Sequence, residues 1–113
     1  MSVKVFTKTP RKLLRLIKDA IDEKNIDTWA YDSEGDFYHT PVQWQIKGWM
    51  HPGKIVPNEC INFGLIGPAT KPMTKMEYAV LHGRFVEMLL AHFDTFITHI
   101  ETSALPTGQD SIL

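Results

Sequence analysis

Apolar and polar residues alternate in short runs through the first two-thirds of the chain, then give way to a long stretch with helical spacing. Val3 and Val5 alternate with their neighbours and predict a first strand. Thr9-Pro10 then reads as a helix start, with threonine as N-cap and proline at the first helical position. That helix is expected to run to about Lys24, with Leu13, Leu16, Ile17, Ala20 and Ile21 on one face. Its charges oppose the macrodipole: Arg11, Lys12 and Arg15 sit at the positive end, Asp22 and Glu23 at the negative end. Each costs roughly a few tenths of a kcal/mol, which the i,i+4 pairs Arg15–Asp19 and Lys18–Asp22 would offset in part.

The stretch from Thr28 to Thr40 reads as a β-hairpin, two aromatic-rich runs joined by Ser33-Glu34-Gly35. With Gly35 left-handed, Asp32 faces Asp36, Tyr31 faces Phe37 and Trp29 faces His39. One face then carries Trp29, Tyr31, Phe37 and His39, and the other carries two opposed aspartates. Opposed like charges destabilise a hairpin unless a cation, a lysine or backbone donors compensate, which marks the turn as a place to look for function.

Thr40-Pro41-Val42-Gln43 is a second helix-start signature and predicts a short helix or single turn through Ile46 that presents Trp44. Gly48 to His51 reads as a strand cut by Pro52-Gly53, and Cys60 to Ile66 as another, ended by Gly67-Pro68. Thr74-Lys75-Met76-Glu77 is a third capping box, opening a helix expected to reach His99 or Ile100. Tyr78, Leu81, His82, Phe85, Leu89, His92, Phe93, Phe96 and Ile100 fall on one side of it. Val86, Met88, Leu90 and Ile97 widen the stripe to roughly twice the ~100° arc of an ordinary surface helix. A helix this apolar is expected to be covered on two sides, by the sheet and by the first helix or a second subunit. Gly83, inside it, costs about 1 kcal/mol relative to alanine, and tight packing against the sheet is the plainer reason for it. Residues 1–103 are thus expected to form one α+β domain, and residues 104–113 a flexible polar tail.

At 113 residues and 43% hydrophobic content the chain is one domain. A net charge of −1 gives no global field favouring nucleic acid or an acidic membrane. The basic residues Lys4, Lys8, Arg11, Lys12, Arg15 and Lys18 are followed at once by Asp19, Asp22 and Glu23, so they read as a solvated, salt-bridged face. Cys60 is the single cysteine, which precludes an intramolecular disulfide, and it has no activating neighbour in sequence. The segment Met1-Ser2-Val3-Lys4-Val5-Phe6 has no apolar signal core, and no run approaches the roughly 20 apolar residues of a membrane span. The expectation is a cytoplasmic protein with no membrane partner.

Five histidines are available, His39, His51, His82, His92 and His99. Arg84 and Glu87 lie on the polar arc of the long helix and His82 on the apolar one, so the plain reading is a surface ion pair and a core histidine. His82 and His92 are about 15 Å apart along the axis and cannot share a metal. Either could meet His39 with Tyr31 or Tyr78, yet no metal or cofactor is expected. Asp32-Ser33-Glu34-Gly35-Asp36 lacks the alternate ligand spacing and distal glutamate of a calcium loop and reads as an acidic turn. The chain carries no GxSxG, P-loop, GxGxxG or HExxH motif.

Two strings stand out together. The first is Thr28-Trp29-x-Tyr31-Asp32-x-x-Gly35-Asp36-Phe37-x-His39-Thr40-Pro41-x-Gln43-Trp44. The second runs Tyr78-Ala79-Val80-x-His82-Gly83-Arg84-Phe85-x-Glu87-Met88-Leu89-Leu90-x-His92-Phe93-Asp94. The chain resembles a family of small, functionally uncharacterised bacterial proteins of about this length. The resemblance implies a bacterial cytosolic protein and transfers no catalytic residue.

The expected architecture is α+β, a mostly antiparallel sheet of four to five strands with two helices on one face. The element order would be β-α-β-β-(short helix)-β-β-α. The favoured function is an interaction module, a homodimer or a binder of a protein partner, anchored by Trp29, Tyr31, Trp44, Trp49 and Tyr78. The alternative is a small enzyme or ligand-binding protein with a pocket between the 28–40 hairpin and the 75–100 helix. There His39 or His82 would move a proton, and Tyr31, Asp36 or Arg84 would orient the ligand.

Overall fold

The computed structural model describes residues 2–105. Among them the elements run β1 (Ser2–Phe6), α1 (Pro10–Asp22), β2 (Trp29–Tyr31), β3 (Phe37–His39), β4 (Trp49–Val56), β5 (Cys60–Ile66), α2 (Lys75–Phe93), a 3₁₀ turn (Asp94–Phe96) and β6 (His99–Thr102). The strands form a six-stranded sheet in the order β2-β3-β4-β5-β1-β6, antiparallel throughout. The α+β class stands as expected, with one strand more than the four to five expected and with turns where the short helix was expected. Residues 106–113 of the expected tail lie outside the described residues. No described helix is long and apolar enough to cross a membrane.

Both helices contribute to one core on one face of the sheet. Leu13 and Ile17 of α1 and Leu81, Phe85, Met88 and Leu89 of α2 are buried with Val3, Val5, Phe37, Met50, Ile61, Phe63 and Leu65 from the strands. Phe85 is the junction: its ring lies 5.2 Å from Trp29, 6.0 Å from Phe37 and 4.9 Å from Phe63. Thr74 caps α2 as a full box with Glu77. Thr9 caps α1 with Pro10 in place but no side-chain bond.

Four expectations are corrected. The chain leaves α2 at Phe93, and residues 99–102 pair with β1 as the sixth strand. The Thr98 amide and hydroxyl both donate to the Phe6 carbonyl, drawing this segment onto the sheet. Pro52-Gly53 does not cut β4, because the register slips by one residue between Pro52 and Ile55. Pro52 keeps its place opposite Phe63, and the extra residue of the bulge falls just after it, at Gly53-Lys54, so the strand runs on to Val56. Segment 41–47 forms consecutive turns, Trp44 N–H to the Pro41 carbonyl and Lys47 N–H to the Trp44 carbonyl, and not a helix. On α1, neither Arg15–Asp19 nor Lys18–Asp22 is an ion pair. Instead the Tyr31 hydroxyl donates to Asp22 at 2.7 Å, and the Lys18 ammonium lies 5.6 Å from the Tyr31 ring centre. That bond, above all, raises the Tyr31 pKa over its ordinary value, because ionising the phenol would set it against the carboxylate.

Two glycines have opposite roles. A Cβ on Gly48 would run into Met73 Cε and come within 2.9 Å of Leu81 Cδ1 and 3.3 Å of the Ile66 carbonyl. Gly48→Ala is expected to cost about 1–3 kcal/mol by overpacking, read as a fall in the urea midpoint. Gly83 is exposed, and a Cβ there would meet nothing within 4 Å among the described residues, so packing against the sheet is not its reason. Gly83→Ala is expected to raise stability by about 1 kcal/mol in the same measurement.

Candidate functional site

The hairpin forms with the expected register: Trp29 faces His39, Ala30 faces Tyr38 and Tyr31 faces Phe37. Gly35 has φ +83° and closes the turn. The opposed aspartates are both compensated. Asp32 Oδ1 accepts from the backbone N–H of Glu34 and of Asp36, each at 3.0 Å. Asp36, 6% exposed, accepts at 2.6 Å from the Nδ1–H of His51 on β4. The antiparallel pairing of Phe37 with Met50 sets Asp36 beside His51 and Tyr38 beside Trp49.

Strand alternation places these four residues on the face away from the helices, since Phe37 and Met50 between them point into the core. Three rows cross this open face. Tyr38, Trp49 and Ile66 form one, all half-buried. Asp36, His51 and Gly64 form the next, continued by Ser2 on β1, with Gly64 itself buried. Asn62, Lys4 and Glu101 form the third, in register across β5, β1 and β6. Beside that row Lys4, Asn62, Glu101, Thr102 and Ser103 line an open concavity of about 450 Å³. The Lys4 ammonium lies 5.0 Å from the Phe6 ring centre, and His99 lies 5.2 Å from that ring, flanking the end of the face.

The chemistry available follows from the donor pattern. With its Nδ1–H on Asp36, the neutral His51 ring presents Nε2 as an acceptor, and its side chain is 50% exposed. The pair can therefore orient a bound donor group or carry a proton. Asp32, Glu34 and Asp36 each bring a carboxylate oxygen within 4.8 Å of the others, the arrangement that could hold a cation. Two of the three already have partners, Asp32 the turn amides and Asp36 the His51 ring.

The residues singled out from the sequence divide between the two faces. Trp29 (2% exposed) and Tyr78 (5%) are core, so neither can touch a partner. Tyr31 and Trp44 are half-buried and pack against the core from its rim. His39 and His82 are buried, and each donates Nδ1–H to a nearby carbonyl, of Thr28 and of Tyr78. The space between hairpin and α2 is filled by Trp29, Phe37 and Phe85, with His39 stacked 4.8 Å from Trp29. A pocket in that seam therefore has no room. Arg84 and Glu87 are exposed on α2 and no ion pair joins them. Trp49 and Asp36 alone of the candidates belong to the open face, and His51, Tyr38 and Asn62 complete it. Alternation around Met50 places His51 off the core, but its meeting with Asp36 depends on how the turns of 41–47 return the chain. No protein-family model, curated protein or solved structure matches this chain.

Proposed function

We propose that the protein is a small binding module that engages a protein partner through the open face of its sheet. The observation that carries this reading is the Asp36–His51 bond at 2.6 Å, set between Tyr38 with Trp49 and the Asn62–Lys4–Glu101 row. Burying a carboxylate to hold an exposed imidazole adds little packing. Its effect is to fix the ring, leaving Nε2 ready for a directional bond without further loss of rotamer freedom. Tyr38 and Trp49 add large, rigid contact area, as binding hot spots do. The half-exposed His51 ring can accept from an N–H or O–H of a segment laid across the face.

Selection of a random peptide library on the intact protein tests this. Enriched peptides are expected to lose roughly tenfold or more in affinity on Trp49→Ala, and a similar amount on His51→Ala. Leu90→Ala on α2 should leave them unchanged. Peptides indifferent to Trp49 and His51 would refute the assignment of the face.

A second reading is favoured by the same bond, which also suits general acid–base work by His51. It is distinguished by Asp36→Asn, which keeps the shape but loses the charge. A binding surface would weaken modestly, whereas a proton-transfer site would lose most of its turnover with binding retained.

A further inference from the structure

We infer that the outer face of α2 is a contact surface for a second copy of this chain, packed antiparallel about a two-fold axis near Gly83. Opposite the buried side of α2, Met76, Ala79, Gly83 and Leu90 are exposed at intervals of three, four and seven residues, with Val86, half-buried against the core, at the edge of the line. That spacing is the narrow seam of a helix pair, distinct from the broad stripe that covers the sheet. Met76 is 69% and Leu90 51% exposed, well above what isolated core-flanking residues need. Ala79, His82, Gly83 and Val86 on one side and Thr102, Ser103 and Ala104 on the other line an open trough of about 380 Å³ on the flank of the helix. Gly83 weakens the helix and no contact among the described residues requires it, whereas a second helix crossing there would approach its backbone closely.

The arrangement is self-complementary, which selects a second copy over an unrelated helix. Met76 and Leu90 each lie seven residues from Gly83, so a two-fold axis there sets each Met76 against the other copy's Leu90. The Met76 end carries additional apolar surface. Lys47 pairs with Glu77 at 3.5 Å, tying the 41–47 turns to the first turn of α2, and Val42 and Ile46 in those turns are 84% and 71% exposed. Antiparallel packing lays that surface over the less covered Leu90 end. Arg84 and Glu87 flank the same side of the seam, and the two-fold brings each within reach of the opposite charge on the other copy. The seam from Met76 to Leu90 is about 21 Å long. The contact would bury on the order of 1,000 Å² over both copies, the lower limit for a specific interface, which fits a reversible dimer.

Sedimentation velocity of the full chain from about 5 to about 500 µM tests this, spanning the range where a contact of this size dissociates. The expected result is a concentration-dependent dimer whose dissociation constant rises about tenfold or more on Leu90→Lys, and likewise on Gly83→Gln, with circular dichroism unchanged. Under mild oxidation Gly83→Cys should link into a dimer readily, and Lys75→Cys, off the axis, should not. A chain that stays monomeric at the highest concentration would overturn the inference. So would a dimer that persists in Leu90→Lys and Gly83→Gln.

Discussion

Phe85→Ala is expected to cost about 3–5 kcal/mol, a large part of the roughly 5–15 kcal/mol that holds a domain of this size folded. The ring is fully buried and touches Trp29, Phe37 and Phe63, so it joins β2, β3 and β5 to α2 at one point. Removing it leaves a cavity between elements that are fixed by their own ladders and cannot close over it. The loss should appear as a lower urea midpoint at unchanged slope. Leu90→Ala on the same helix, 51% exposed, should change the midpoint of the dilute monomer by less than about 0.5 kcal/mol. A loss below about 1.5 kcal/mol for Phe85→Ala would mean that helix and sheet are not joined there.

Stability is also expected to fall as pH drops from 7 through the ordinary histidine range, and His39 is the cause. Burial is the main reason its pKa is lowered. The Thr28 carbonyl acts in the opposite sense, and of the nearby charges Arg84 lowers the pKa and Glu87 raises it. Its Nδ1–H donates to Thr28, and Nε2 is buried without a hydrogen-bond partner among the described residues. A proton on Nε2 would have nowhere to bond. The unfolded chain, with its ordinary pKa near 6.5, binds that proton first. Stability therefore declines between that value and the lower folded one, then levels off. One proton sets a limit of about 1.4 kcal/mol per pH unit. His39→Phe, which retains a ring against Trp29, should flatten the profile over that window in urea melts at several pH values. An unchanged slope would shift the cause to the other histidines.

Local chemistry made the hairpin and both helix starts legible. Ser33-Glu34-Gly35 fixes the register that opposes Asp32 to Asp36, and Thr74 with Glu77 forms the box that opens α2. What the sequence concealed depended on distant contacts. Phe96 and Ile100 fit the helical stripe well enough to extend α2 on paper. The β-branched Thr95, Ile97, Thr98, Ile100 and Thr102 were the contrary signal, but β6 forms because Phe6 and Val5 offer a free strand edge. The candidate site divides in the same way. Asp36 and Trp49 drew notice as an uncompensated charge and an aromatic. His51 became meaningful only once β3 and β4 were paired, which nothing local to residues 40–48 specifies. Conversely, Trp29, His39 and His82 have functional side chains yet serve as core, because their strand and helix faces point inward.

The open face of the sheet is the centre of this account, and amide and side-chain NMR of the labelled protein during titration with an enriched peptide tests it most directly. The expected shifts fall on Tyr38, the Trp49 indole, the His51 ring, Asn62 and Ile66, with Trp29 and the residues of α1 unmoved. Shifts gathered on α1, or along the hairpin seam at Tyr31 and Tyr78, would contradict it.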